Sequence, residues 1–232
     1  MKKLSKALFT VAILLLIAVP AATQVRQYPL DSADGLVLHN VAAAPATLDG
    51  KKGLRLTMSD EARRAQGQIE QLARIKDLEF SNGVIEVELA GAPAPDAPAG
   101  SRGFVGIAFR VLPNNQNYDA FYLRPTNGRA GDQERRNHSA QYISHPAWTW
   151  SRLRQETPSK YESYVDLMPG VWTKIKIDVR GNGARLFVHD NDQPTLIVND
   201  VKTGPQGKGA IALWLDSGTI AHFRNLRVTP AN

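Results

Sequence analysis

Hydrophobic and polar residues alternate with period two over most of the chain beyond residue 30. Leu54, Leu56 and Met58 alternate with Arg55 and Thr57. Ile85, Val87 and Leu89 alternate with Glu86 and Glu88, and Ile175, Ile177 and Val179 with Lys174, Lys176 and Asp178. Val105, Ile107, Phe109 and Val111 alternate with Phe104, Gly106, Ala108 and Arg110. Strict alternation puts one side chain set on each face of a pleated strand, so these segments predict half-buried strands. Turn pairs punctuate them: Asp49-Gly50, Asn82-Gly83, Asn127-Gly128, Gly181-Asn182-Gly183 and Ser217-Gly218. Val171–Arg180 and Ala184–His189, joined by Gly181-Asn182-Gly183, form the clearest predicted hairpin. Helical pattern is confined to about a turn at Asp60–Ala65 and another at Ala147–Gln155. Many short strands and few helices predict an all-β sandwich or barrel. The Pro-rich stretch Gly91–Gly100 reads as a surface loop.

Residues 1–22 follow a different pattern. Lys2, Lys3 and Lys6 precede the uncharged apolar run Ala7–Val19, and Pro20-Ala21-Ala22 supplies small residues for cleavage after Ala21 or Ala22. This is the layout of a secretory signal peptide. The run is short of the roughly 20 residues a spanning helix needs. The expected organisation is a signal peptide at 1–22 and one domain at 23–232, exported to the periplasm or outside the cell, with no membrane attachment after cleavage. The chain has no cysteine. That excludes disulfides, thiolate metal sites and a cysteine nucleophile, so the exported domain must stand on its core alone.

The formal charge of +6 suggests a nucleic-acid partner until its origin is traced. Half of it belongs to the three lysines of the leader. Between residues 124 and 160 stand Arg124, Arg129, Arg135, Arg136, Arg152, Arg154 and Lys160 against Asp132, Glu134 and Glu156. The basic excess is therefore local, and it suits an anionic glycan or sugar carboxylate as well as a polynucleotide. Export favours the glycan, and nucleic acid is not an expected partner.

Residues 102–172 hold 11 of the 17 aromatic side chains. Tyr118, Ala120, Tyr122 and Arg124 share one strand face. Arg110 shares a face with Gly106 and Ala108, and small residues beside an arginine suggest a sheet face left open. Trp148 and Trp150 stand two apart in a polar setting, where indole faces can stack on sugar rings. Arg110, Arg124, Gln141 and His145 are candidates for reading hydroxyls or a carboxylate. Glu86 and Glu88 share a strand face about 7 Å apart, within the 5–9.5 Å that paired glycosidase carboxyls need. They are the candidate catalytic residues should the protein cleave its ligand. No GxSxG, Walker loop, GxGxxG or HExxH occurs, so no cofactor or catalytic metal is expected. His138 and His145 have no metal-ligand spacing.

The ordered segments GVIEVELA, GFVGIAFRV, NYDAFYLRPTNGR, GVWTKIKIDVRGNGARLFVHD and GAIALWLDSGTIAHFRNLRV resemble the concanavalin A-like lectin/glucanase superfamily. They look closest to its group labelled 3-keto-disaccharide hydrolase-like, a domain of unknown function. The resemblance spans nearly all of residues 30–230. It implies a jelly-roll sandwich of two curved antiparallel sheets, with carbohydrate bound or cleaved on the concave face. Arg110, Tyr122 and Arg124 would lie on or beside that face, with Glu86 or Glu88 as neighbours and the insertion His138–Tyr164 at its rim. The Glu-x-Asp-x-x-Glu motif of the glucanase branch is absent. Some superfamily members carry a structural calcium, for which Asp31, Asp34 and Asp216 offer carboxylates without a ligand spacing. Two readings stay open: a carbohydrate-binding protein, with binding and glycoside hydrolase-like cleavage undecided, or an interaction module using the aromatic strip as a protein interface.

Overall fold

The structure, a computed structural model, describes residues 24–65 and 69–231. The expected leader, residues 1–22, lies outside the described residues. Among the described residues, fifteen strands follow one another in chain order. They begin with β1 (Arg26–Tyr28), β2 (Leu36–His39), β3 (Val41–Leu48), β4 (Lys51–Met58) and β5 (Gln71–Ile75). Next come β6 (Gly83–Pro93), β7 (Val105–Val111), β8 (Tyr118–Leu123), β9 (Ala140–His145) and β10 (Glu162–Ser163). The last are β11 (Thr173–Arg180), β12 (Gly183–Val188), β13 (Leu196–Val198), β14 (Ala210–Leu215) and β15 (Thr219–Pro230).

Two antiparallel sheets form. One has eight strands in the order β13-β12-β11-β6-β15-β4-β3, with β1 added against β15. The other has seven, in the order β10-β9-β8-β7-β14-β5-β2. The predicted hairpin is β11–β12, registered from Ile175↔Val188 to Arg180↔Gly183. Pattern and packing agree on β6: Ile85, Val87 and Leu89 are buried while Glu86 and Glu88 are half-buried on the outer face. The core forms between this inner face and that of the seven-stranded sheet, which supplies Ile107, Phe109, Phe121 and Leu213. Strand β6 runs on through Gly91, Ala92 and Pro93, paired to β15, so the Pro-rich loop begins later than its composition suggests.

Both expected helical turns are present. The first, α1 (Asp60–Arg64), is capped by Ser59, whose hydroxyl accepts from the Ala62 N–H. A turn that the pattern missed, α2 (Gln133–Asn137), is capped by Asp132. The third, α3 (Trp150–Glu156), is capped by Thr149 and buries Leu153. A hydrophobic pattern cannot reveal α2, because none of its five residues is buried.

One expectation about strand faces is overturned. The small residues of β7 do not mark an open surface. Gly106, Ala108, Ala120 and Ala212 are fully buried beneath a second layer of aromatic side chains. Gly106 pairs with Tyr122 on one side and Trp214 on the other. The two rings stack 4.7 Å apart between centroids. A Cβ at Gly106 would lie 2.2 Å from the Phe121 carbonyl oxygen, so no larger residue fits this floor.

Candidate functional site

The outer face of the seven-stranded sheet carries a cleft of about 430 Å³. Its aromatic lining is Phe104, Tyr122, Trp150 and Trp214. Its polar lining includes Glu70, His145 and Asp216, with Thr149, Ser151 and Ser217. Strand register explains the two carboxylates. In the β14–β5 pair, Leu215 stands opposite Gln71. One step beyond the ladder, Asp216 follows Leu215 and Glu70 precedes Gln71. Side chains alternate between faces, so both carboxylates project from the face that also carries Trp214. Opposed residues in an antiparallel pair hold their Cβ atoms about 5 Å apart.

Glu70 is held from two sides. Tyr118 Oη donates to its Oε2, and His145 Nδ1 lies 2.8 Å from its Oε1. Trp214 Nε1 donates in turn to Tyr118 Oη at 3.1 Å. The His145 ring stacks on Tyr118, 5.0 Å between centroids. Burial, and then the adjacent Glu70 charge, push the Tyr118 hydroxyl well above its usual pKa, so it stays a neutral donor. The carboxyl of Asp216 is raised mainly by burial, with the charge of Glu70 adding to it and the Ser217 N–H opposing. For a carboxyl whose folded pKa is raised, the folded state holds the proton more tightly. Its contribution to stability is therefore present at low pH and falls as pH rises through the folded value. Gln71 Nε2 donates to Ser217 Oγ at 2.9 Å and ties the two strand ends together.

Three residues picked out in the sequence meet behind the cleft. Arg124 Nη2 donates to Tyr122 Oη at 2.8 Å and to Gln141 Oε1 at 3.0 Å, and its Nη1 donates to the His138 carbonyl at 2.8 Å. Arg124 and Gln141 are buried in this network and do not line the cleft. Tyr122 reaches the cleft but is only 2% exposed, and Trp214, which it stacks on, is 6% exposed. Trp150 is 44% exposed at the cleft mouth.

The other candidates lie elsewhere. Trp148 does not accompany Trp150. A tight turn returns Trp148 to pair with Ser144, through hydrogen bonds of 2.7 and 3.0 Å. There Arg152 lies 3.9 Å and Lys202 4.5 Å from its ring centroid. It lines a separate cavity of about 460 Å³, with Lys202, Thr203 and Lys208. His145 borders both cavities.

Arg110 is not on the face of Gly106 and Ala108. Its backbone adopts φ 55°, beside a register shift between Ala210 and Ala212 of β14, and the strand alternation breaks there. The side chain turns toward the end of the sandwich, where it bonds loops of the other sheet. Glu86 and Glu88 also lie apart from the cleft, on the outer face of the eight-stranded sheet. Glu86 is registered with Lys176 and Arg227, and Glu88 with Lys174 and Arg224. Asn225 Nδ2 donates to Glu88 at 2.8 Å. No group of three or more His, Asp or Glu is assembled as a metal cluster among the described residues.

The sequence reading missed Glu70, Tyr118 and Trp214 as a set, and read Asp216 only as a calcium candidate. Tyr118 shares strand parity with Tyr122, and that was the available signal. Glu70 and Asp216 are separated by 145 intervening positions, and only the strand pairing joins them.

No protein-family model matches the chain, and no curated protein matches it in sequence. Solved structures do resemble it. The carbohydrate-binding module CBM66 from Bacillus subtilis superposes with TM-score 0.56 at 11% identity, covering 84% of this chain and 95% of that one. A Bacillus subtilis protein of unknown function with a galectin-like fold gives TM-score 0.54 at 14% identity, over 88% and 94%. The Crh5 transglycosylase in complex with NAG gives 0.51 at 15%, over 91% and 86%. The fold is thus a two-sheet jelly-roll sandwich, as the sequence resemblance implies.

Proposed function

We propose that the protein is an exported carbohydrate-binding protein that takes a neutral glycan in the cleft on the outer face of its seven-stranded sheet. The observation that carries this reading is the chemistry of the cleft wall. Aromatic faces at Phe104, Trp150 and Trp214 alternate with the hydrogen-bonding groups of Glu70, His145 and Asp216, and neither lysine nor arginine is among the lining residues. Apolar rings beside a few placed acceptors match a sugar's C–H faces and hydroxyls. Two carboxylates in the lining, with the Arg154 that lies over the Trp150 ring already paired to Glu162, disfavour a uronic acid or sulfated sugar. Two of the similar folds are a carbohydrate-binding module and a transglycosylase in complex with NAG, which supports a sugar as ligand. Export rests on the leader pattern, and no helix among the described residues is long and apolar enough to cross a membrane.

The basic segment does not supply an anion site at the cleft. Arg129 pairs with Asp166, Arg152 with Glu156, Arg154 with Glu162 and Lys160 with Asp200. Arg136 lies over the Tyr164 ring and donates to its hydroxyl, and Arg124 is buried. Six of the segment's seven cations are thus engaged within the fold, which weakens the case for a polyanionic partner. The interface reading loses support for a similar reason. Most of the aromatic strip is interior, and Trp150 and Tyr164 are its exposed large members among the described residues.

Replacing Trp150 by alanine is expected to weaken glycan binding about tenfold, the loss of roughly 1.4 kcal/mol of stacking. Thermal stability should stay unchanged, because the ring is largely outside the core. Isothermal titration with neutral and uronic-acid oligosaccharides checks both parts. Equal affinity of wild type and Trp150→Ala, or a preference for the acidic sugars, would overturn this assignment of the site.

A further inference from the structure

The cleft holds more than a binding surface needs. A lectin needs acceptors for hydroxyls. It does not need two carboxylates on adjacent strands with different environments, one of them braced by a chain of donors. We infer that Asp216 and Glu70 form an acid/base pair that hydrolyses a glycosidic bond of the glycan bound between Trp150 and Trp214. The inference rests on the carbohydrate reading of this cleft and adds a reaction to it.

Cross-strand neighbours with Cβ atoms about 5 Å apart can spread their carboxyl groups over the 5–9.5 Å range in which glycosidase pairs work. Both side chains project from one face into one cleft, with Phe104 and Tyr122 beside them. The environments then divide the roles. Glu70 accepts hydrogen bonds at both oxygens, from Tyr118 and from His145 when its Nδ1 carries the proton. These two donors fix the orientation of the Glu70 carboxylate where it lines the cleft, as a positioned base requires. The Trp214 Nε1–H, Tyr118 O–H and Glu70 carboxylate run in one donor direction. Asp216 accepts one backbone N–H, from Ser217 at 2.8 Å, and its raised pKa suits a carboxylic acid that gives up a proton.

Asp216 transfers its proton to the glycosidic oxygen as the bond from that oxygen to the anomeric carbon breaks, and the bonding pair leaves with the alcohol. A water molecule adds its oxygen to the anomeric carbon while Glu70 takes one of its protons. The products are a hemiacetal and a free hydroxyl. The pair regains its starting state when the proton on Glu70 returns through solvent to Asp216.

The pairing is separate from any consecutive carboxylate motif and from Glu86 and Glu88, which sit on the other sheet. Glu86→Gln is therefore expected to leave turnover unaffected.

The test uses the mature protein with neutral gluco-, xylo-, arabino-, fructo- and N-acetylglucosamine oligosaccharides. Binding is followed by titration and cleavage by reducing-end release across pH 4–8. The expected result is slow but saturable release from a glycan that binds. Glu70→Gln and Asp216→Asn should each lower turnover at least about 100-fold, with Kd within about threefold of wild type. The rate should fall as pH rises past the raised pKa of Asp216. A glycan that binds without any release of reducing ends overturns the inference and leaves the binding assignment standing. Turnover that survives both substitutions also overturns it. Failure to bind any oligosaccharide overturns the binding assignment, and this inference with it.

Discussion

Arg110→Met is expected to lower the melting temperature by about 10 °C, although it removes no apolar contact of the core. Arg110 is 1% exposed. Its Nε donates to the Ser81 carbonyl at 3.0 Å. Its Nη1 donates to Thr203 Oγ1 at 3.0 Å and the Gly204 carbonyl at 2.8 Å. Its Nη2 donates to Asn82 Oδ1 at 3.3 Å and the Gly181 carbonyl at 2.9 Å. One planar fork thus satisfies acceptors from three loops: the turn before β6, the β11–β12 hairpin and the β13–β14 connection. Methionine matches its length but leaves three backbone carbonyls without their donor. Each orphaned acceptor costs about 1–3 kcal/mol. A total of 3–4 kcal/mol corresponds to about 10 °C in a domain of this size. Lysine has three donors on a point charge and should recover only part of the loss. Calorimetry of the two variants checks this. A melting temperature within about 2 °C of wild type for Arg110→Met would show that water replaces the guanidinium at no cost.

The second large effect is expected at Glu162, whose side chain is 3% exposed among three basic groups. Arg124 Nη1 lies 3.4 Å from Glu162 Oε1. Arg154 grips the carboxylate through both Nε, at 3.1 Å to Oε2, and Nη2. His138 Nδ1 lies 2.9 Å from Oε2 without the alignment of a hydrogen bond. Burial lowers the His138 pKa more than Glu162 raises it, and the arginines lower it further, so the ring is neutral near pH 7. Glu162→Ala strands the buried Arg124 and is expected to cost about 3–5 kcal/mol, the usual result of breaking a buried ion pair from one side. Glu162→Gln keeps the shape and an acceptor and should cost less. Because Arg124 also braces Tyr122, the alanine variant should weaken the proposed glycan binding as well. Urea unfolding curves measure the first effect and titration the second. An alanine variant as stable as wild type would mean that the arginines find water instead.

These two residues show how far a sequence can be read. Strand faces were legible wherever alternation was unbroken. Ile85, Val87 and Leu89, and likewise Ile175, Ile177 and Val179, are buried as the pattern requires. The reading failed at Arg110 because one residue with positive φ reverses the alternation, and nothing in the letters announces it. It failed at Gly106 and Ala108 because small residues on a strand face admit two explanations. They can face open solvent, or they can floor a second layer. Tyr122 and Trp214 decided for the floor, and Trp214 is more than 90 positions further along the chain. The pair Trp148 and Trp150 looked like one platform, yet a turn sends them to separate cavities.

The sequence by itself determined the class of fold, the inner faces of its regular strands, the β11–β12 hairpin and two of the three α-helical turns among the described residues. These properties are local, because side-chain period and turn chemistry act over a few residues. Tertiary structure alone decided which sheet each strand joined, and with it which polar residues could meet. Glu86 and Glu88, two positions apart on one strand, ended on the outer face of one sheet. Glu70 and Asp216, remote in sequence, became cross-strand neighbours on the other because β5 pairs with β14. The physical reason is that antiparallel pairing brings residues to within about 5 Å whatever their separation along the chain. A cleft is therefore a property of register, which a single sequence does not display.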